Sequence, residues 1–232
     1  MKFLALLRKE LREALPWMLL AAAIMLGIGG LMVNTITTSF STPRRYYNVP
    51  IAGELLEYYR LTPHWPLSDL GGLVLLTAMG LGLVLALRQF LLPSIFRTWA
   101  FSLHRSVSRT TILLAKLVAA GLALALCAGA TWSWLFYRIT QSQSLAIVPP
   151  SRIFWEGWAY VLLGLLVYLG ASATALSTAR WYTTKIFPVG FATLIGFLSL
   201  TQWGLGLCVL TLLVGLAILG PQLLYTFLHR EY

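Results

Sequence analysis

Apolar residues fall into six long runs along the chain, at 15–33, 70–87, 111–136, 158–176, 186–200 and 203–223. A helix needs about 20 residues to cross the hydrocarbon core of a membrane, with about 17 as the lower limit. The pattern therefore predicts an all-α polytopic membrane protein with six transmembrane helices in one domain, 1–232. The fifth run is the shortest, and only the turn at 201–202 separates it from the sixth. These two form either a tight hairpin or a broken, partly re-entrant pair.

Basic residues are concentrated in alternate connecting segments. Twelve of the 17 Lys and Arg residues fall on one side of the predicted bundle: Lys2, Arg8, Lys9, Arg12, Arg88, Arg97, Arg105, Arg109, Lys116, Arg180, Lys185 and Arg230. An excess of Lys and Arg marks cytoplasmic loops. We therefore expect both termini in the cytosol and the chain in the inner, cytoplasmic membrane of a cell.

Composition supports the same class, because 59% of residues are hydrophobic and 10% are charged. Soluble domains average about 45–50% and about 25%. The net charge of +10 could suggest nucleic acid, but these basic residues lie in short loops between apolar runs rather than on one folded face. We therefore expect the basic residues to contact anionic lipid headgroups, and we expect no nucleic-acid partner. Cys127 and Cys208 lie in predicted spans, so no disulfide or metal site is indicated.

Common catalytic and nucleotide-binding motifs are absent from the sequence. There is no GxxxxGK[ST] loop, HExxH pair or GxSxG turn. We therefore expect no catalytic, cofactor-binding or metal-binding residue and no enzyme activity in this chain. The middle thirds of the six runs also lack Asp, Glu, His, Lys and Arg, with Lys116 near the inner end of the third. Ion-coupled carriers usually keep such groups on their pathway, so energy for uphill transport would come from a partner.

The N-terminal segment 1–14 has the pattern of an amphipathic helix. At 100° per residue, one face gathers Phe3, Leu4, Leu7, Leu11 and Leu15, and the other carries or is flanked by Lys2, Arg8, Lys9, Glu10, Arg12 and Glu13. Leu6 is an exception on the polar face. We expect this helix to lie in the inner interface until Pro16 redirects the chain into the first span. It serves as a lipid anchor or as a contact for a cytosolic subunit, and the anchor is favoured.

The outer loop 34–69 is rich in aromatic residues and prolines. Aromatic residues at this density more often form an interfacial belt than a binding site. His64 lies near Glu54, Glu57 and Asp69, but the spacing matches no metal-ligand pattern, which favours solvated loop residues.

The inner segment 88–110 is the most basic connection. Pro93 is expected to end the second span, and a short helix parallel to the membrane would follow within 94–104. Ser108 or Thr110 is expected to cap the third span. Taken alone, the segment fits ordinary positive-inside anchoring.

Small residues are frequent in the second and fourth spans, including Gly71, Gly72, Gly80, Gly82, Gly164 and Gly170. Close helix packing is the favoured interpretation, and an uncharged substrate route is the alternative.

Two segments, LLRKELRE at 6–13 and SLHRSVSRTTILLAK at 102–116, resemble ABC-2-type permeases, the membrane subunits of ATP-binding-cassette exporters. Members of that family carry a stretch of the form LL-x-R-P-[VI]-S-R…K near the inner end of the third span. Leu103, Arg105, Val107, Ser108, Arg109 and Lys116 match it. Ser106 replaces the usual proline, and Trp99 stands where many members have an acidic or Gly-Thr segment.

The resemblance implies an N-terminal elbow helix, with Leu4, Leu7, Arg8, Lys9, Leu11 and Arg12, and a coupling helix between the second and third spans. It assigns contacts with a separate P-loop ATPase subunit to Arg97, Trp99, Phe101, His104, Arg105, Ser108 and Arg109. ATP and Mg would be bound by that subunit, and a second permease copy or homologue would complete the exporter. The expected function is export or flipping of a hydrophobic or amphipathic substrate.

Two alternatives remain open. The chain could be a non-transporting scaffold or regulatory subunit of a larger membrane complex. It could also be an intramembrane lipid-modifying enzyme that uses His64 and the nearby acids.

Overall fold

The computed structural model describes residues 2–41, 67–96, 107–141, 151–177, 185–202 and 204–229, and every regular element in these ranges is helical. The first half comprises α1 (Lys2–Ser41), α2 (Leu67–Ala86) and α3 (Leu92–Ile95), with a π-helical turn, Leu87–Leu91, joining α2 to α3. The third pass comprises α4 (Arg109–Leu124), a π-helical segment (Ala125–Ala130) and α5 (Thr131–Thr140). The rest comprises α6 (Ser151–Leu176), α7 (Phe187–Leu200) and α8 (Leu205–His229).

Within the described ranges, five helical stretches are long and apolar enough to cross a membrane: Phe3–Thr35, Leu70–Ile95, Arg109–Thr140, Ser151–Leu176 and Leu205–His229. The predicted all-helical, multi-pass membrane class is thereby confirmed. The fifth predicted span corresponds to α7, which has 14 residues. At 1.5 Å per residue it is about 21 Å long, against about 30 Å of hydrocarbon. The count of six spans and the cytosolic position of the termini stay predictions.

The core is organised around α6. In its most apolar stretch 72% of the residues are buried, against 22% in each of α1 and α8. α6 packs against α2, α7 and α8, and α1 packs against α2, α4 and α5. The two peripheral helices therefore present most of their apolar surface outward.

Glycines allow α6 and α2 to cross in backbone contact. A Cβ atom at Gly82 would overlap the carbonyl oxygen of Gly164, and one at Gly164 would lie 2.6 Å from the carbonyl oxygen of Ala78. Gly170 is similarly placed, with Ala192 Cβ 2.7 Å from its notional Cβ. The packing interpretation is confirmed for Gly82, Gly164 and Gly170, whereas a Cβ atom at Gly72 or Gly80 would meet no atom within 4 Å.

Two tryptophans are seated on glycines where α6 meets the third pass. Trp132 is fully buried against Gly157, and its Nε1 donates a hydrogen bond to the carbonyl oxygen of Phe154 at 3.0 Å. Trp158 covers Gly129 in the same way, with ring carbon Cη2 2.6 Å from where a Cβ would stand. Each tryptophan ring thus fills the space that a side chain at the facing glycine would occupy.

The break expected at Pro16 is not present, because α1 is one continuous helix with Pro16 inside it. A proline removes a single backbone hydrogen bond and is tolerated in apolar helices that neighbours support. Ala14 and Ala21 are both buried, so tertiary packing continues across the proline. The amphipathic segment is the beginning of α1, and a separate elbow is not seen.

The second pass likewise continues past its predicted end. Pro93 lies in the first turn of α3, and helical structure runs to Ile95. The helix is continuous through the π-turn, where the Leu92 amide bonds to the carbonyl oxygen of Leu87, and local π-helical adjustments of this kind allow proline within apolar helices. Only the beginning of the predicted coupling helix, 94–96, falls within the described residues.

Candidate functional site

Buried polar side chains converge at one end of the bundle, where α1, the π-turn after α2, α4 and α6 meet. Glu10 and Lys116 are each 8% exposed, Gln89 is 4% exposed, and Tyr168 is fully buried. We call these four residues the polar cluster, and the end that contains them the polar end.

An ion pair between Glu10 and Lys116 forms the charged half of the cluster. The Lys116 ammonium lies 2.8 Å from Glu10 Oε1, and the two side chains are both 10% exposed. The ammonium also lies 5.8 Å from the centre of the Phe90 ring. An unpaired charge at such a position would carry a large desolvation penalty, so each residue requires the other.

A hydrogen bond between Tyr168 and Gln89 forms the neutral half. The Tyr168 hydroxyl donates to Gln89 Oε1 at 2.6 Å, and it also lies 3.4 Å from the carbonyl oxygen of Lys116. The rings of Tyr168 and Phe90 meet edge to face with centroids 6.2 Å apart. Tyr168 thus links α6 both to the π-turn and to α4.

The π-turn is what presents Gln89 and Phe90 to this interior. Both are buried, whereas the preceding residue of the π-turn, Arg88, is partly exposed. A π-turn holds one extra residue per turn, which changes the faces that neighbouring side chains occupy, and such turns are frequent at functional sites. Gln89 and Phe90 therefore face the polar cluster, whereas the preceding Arg88 faces Glu13 of α1.

A second, more exposed ion pair flanks the cluster. Arg88 Nη2 lies 3.7 Å from Glu13 Oε2, and Arg88 Nη1 donates to the Glu13 carbonyl oxygen. Lys9 Nζ lies 3.8 Å from Glu13 Oε1. The N-terminal turns of α1 are consequently tied to both the second and the third pass.

The predicted elbow residues lie on the outward part of α1. Leu4 is 67% exposed, Arg8, Lys9 and Arg12 are exposed, and Leu7 and Leu11 are half-buried. The side that packs into the bundle carries Leu6, Glu10 and Ala14 at four-residue spacing. Leu6, which did not fit the predicted apolar face, and Glu10, which was predicted to flank the polar face, therefore both lie where α1 packs against the bundle.

Two of the predicted ATPase-contact residues are described, and both make contacts within the chain. Ser108 is the N-cap of α4, where its Oγ accepts a hydrogen bond from the Thr111 amide at 3.3 Å. This confirms the predicted cap at Ser108. Arg109 donates from Nη1 to the carbonyl oxygen of Leu228 near the end of α8, at 3.3 Å.

The remaining predictions at this end and in the loops lie outside the described residues. They concern Arg97, Trp99, Phe101, His104 and Arg105 of the coupling segment, and also His64 with most of the outer loop 34–69. The aromatic belt predicted for this loop is therefore untested. Trp134, Tyr137 and Trp155, outside the loop, are exposed at the end opposite the polar cluster.

The sequence held part of the signal for the polar cluster. Lys116 stands out as a lysine inside an apolar helix, and the chain has only seven acidic residues, of which Glu10 and Glu13 lie in the N-terminal segment predicted to be on the same side of the membrane. A search for its partner would have reached Glu10 or Glu13. Nothing in the sequence marks the Gln89–Tyr168 bond, because it depends on the π-turn.

The cluster satisfies its own polar groups and joins helices. Its carboxylate faces an ammonium and its amide faces a phenol, so the arrangement is suited to fixing helix positions. Within the described ranges, no group of three His, Cys, Asp or Glu side chains is close enough to hold a metal ion. No protein-family model, curated protein or solved structure matches the chain.

Proposed function

We propose that this chain is the membrane subunit of an ATP-driven exporter of the ABC-2 type, located in the cytoplasmic membrane. A separate P-loop ATPase subunit supplies the energy, a second permease copy or homologue completes the assembly, and the substrate is hydrophobic or amphipathic. One observation carries the proposal. The two segments that resemble the family are joined in the fold, because Glu10 in the first pairs with Lys116 in the second.

The ion pair gives a mechanical reason why those segments belong together. A force applied by an ATPase at 97–106 would reach α4 directly, because Ser108 and Arg109 begin that helix. α1 follows α4 through the buried Glu10–Lys116 pair, and α6 follows through Tyr168. Three passes would therefore move as one body when the connection is displaced.

The close packing of α2 on α6 bears on the substrate route. Gly82 and Gly164 bring the two backbones into contact, which leaves no passage between these helices. α1 and α8 are mostly unburied. In the proposed exporter the substrate therefore moves between two chains, along apolar outer faces, and this suits an amphipathic or lipid-linked molecule.

Reconstitution tests the proposal. The tagged full-length chain is purified in nanodiscs from its native membrane, the amount of any P-loop ATPase per chain is quantified, and ATP turnover and substrate flux are measured in vesicles. We expect a stoichiometric ATPase, and we expect Trp99→Ala with Arg105→Ala to reduce both its association and its turnover. Trp134→Ala with Arg138→Ala is the matched control, since it removes an exposed tryptophan and an arginine at the opposite end of the bundle.

Two results would contradict the exporter. If no ATPase accompanies the chain, or if the double substitution leaves association and turnover unchanged, the coupling assignment is wrong. If an ATPase binds and hydrolyses ATP but no substrate crosses the vesicle membrane, the chain is a scaffold.

A further inference from the structure

An apolar groove runs along the outside of the bundle between α1 and α2. Its volume is about 370 Å³. The walls include Trp17, Leu20 and Ile24 from α1 and Leu73, Gly80 and Val84 from α2. Apart from Thr77 and the Trp17 indole nitrogen, the lining side chains are apolar.

Gly80 keeps the groove open. A Cβ atom at Gly80 would meet no atom within 4 Å, unlike one at Gly82, which would overlap α6. Close packing of the described helices therefore does not require glycine at position 80. The missing side chain instead leaves space on the membrane-facing side.

The length of the groove matches one leaflet of a bilayer. Leu73 and Val84, near its two ends, are separated by about 16 Å at 1.5 Å per residue. The hydrocarbon core is about 30 Å thick, so a groove of this length accommodates the acyl layer of one leaflet. A transmembrane helix from a second chain would require about twice that length.

Charged side chains lie beyond the Val84 end of the groove. One turn beyond Val84 on α2 is Arg88, and one turn before Trp17 on α1 is Glu13, which pairs with Arg88. Lys9 contacts the same carboxylate. Two cations surround one carboxylate at the mouth of the groove, which leaves one net positive charge, and Trp17 is 40% exposed beside it as expected for a headgroup-level residue.

We propose that this groove is a binding site for one anionic phospholipid. An acyl chain lies between α1 and α2 against Gly80, and the phosphate is held by Arg88 and Lys9. The site depends only on the described contacts and is independent of the proposed exporter function.

Native mass spectrometry of the detergent-purified full-length protein tests the site. The protein is titrated with phosphatidylglycerol or with phosphatidylcholine of the same chains. We expect one tightly bound phosphatidylglycerol in preference to phosphatidylcholine. Gly80→Phe fills the groove and should abolish that first binding event, whereas Gly27→Phe, at an exposed glycine of α1 outside the groove, should preserve it. Gly80→Leu provides a smaller obstruction should the phenylalanine variant not fold.

The headgroup contacts are tested separately. Lys9→Gln should reduce the preference for phosphatidylglycerol about fivefold, since a basic residue near an anionic surface contributes about 1 kcal/mol. Arg88→Gln should reduce it similarly, and Arg88→Lys should retain it.

Two outcomes would overturn the site. Equal binding of the two lipids, unchanged by Gly80→Phe, would mean annular lipid only. Loss of a dimer in Gly80→Phe with an unchanged lipid count would mean that a second copy of the chain occupies the groove.

Discussion

At the scale of single residues, Glu10 and Lys116 hold opposite charges 2.8 Å apart where each is almost fully buried. Lys116→Met should destabilise the protein by about 3–5 kcal/mol, because it leaves the Glu10 carboxylate buried without a counter-charge. Glu10→Leu combined with Lys116→Met should recover most of the loss, since it removes both charges. Unfolding by SDS titration from mixed micelles measures both variants.

The exposed pair between Lys9 and Glu13 supplies the control. Lys9→Met should change stability by about 0–1 kcal/mol, as is typical of exposed ion pairs. Equal losses in Lys116→Met and Lys9→Met would show that burial does not set the strength of the Glu10 pair.

The Tyr168 hydroxyl is the second residue-scale test. Tyr168→Phe removes the donor to Gln89 without changing the packed ring. It should destabilise the protein by about 1–3 kcal/mol, because the Gln89 amide oxygen is left buried and unpaired. Tyr160→Phe, at a half-buried tyrosine of the same helix, is the control, and thermal unfolding in detergent compares the two. A Tyr168→Phe protein as stable as Tyr160→Phe would contradict the assigned hydrogen bond.

At the scale of elements, the crossing of α2 and α6 depends on a missing side chain. Gly82→Ala should destabilise the bundle by about 1–3 kcal/mol, since the added methyl group must displace the backbone of Gly164. Gly72→Ala is matched for helix and residue type, and its Cβ would meet nothing within 4 Å. It should be neutral or stabilising by up to about 1 kcal/mol through helix propensity. If the two variants had the same denaturant midpoint, the close crossing of α2 and α6 would be excluded.

The short helix α7 leads to a prediction about depth. Its length of about 21 Å is about 9 Å less than the hydrocarbon core. In a background with Cys127 and Cys208 replaced by alanine, Gly204→Cys should therefore react more slowly with a water-soluble maleimide than Gln141→Cys. Equal rates from the same side of the membrane would show that the turn after α7 reaches the surface.

Hydropathy was sufficient to locate the helices, because a helix exposed to lipid must be a long apolar run whichever helices pack beside it. It was insufficient at Pro16 and Pro93, where packing and the adjoining π-turn, respectively, outweigh the local helix-breaking tendency of proline. The same limit applies to the polar cluster. The charge of Lys116 was visible in sequence, whereas the register that brings it to Glu10 and the π-turn that buries Gln89 arise from tertiary structure.

At the scale of the whole molecule, the positive-inside pattern predicts that the polar end faces the cytosol. Lys9→Cys should then be labelled by a membrane-impermeant maleimide only in inside-out vesicles, and Gln141→Cys only in right-side-out vesicles. The opposite result would invert the orientation and would place the segment 97–106 out of reach of a cytosolic ATPase.

The pairing of Glu10 with Lys116 also has a consequence for biosynthesis. The two residues are 106 positions apart, so the ribosome completes α1 long before α4 emerges. During that interval the Glu10 carboxylate has no lysine to neutralise it, and the first turns of α1 are held less firmly than in the finished protein. Arrival of the third pass then closes the pair, so the N-terminus, although it is made first, settles only after about half of the chain has been synthesised.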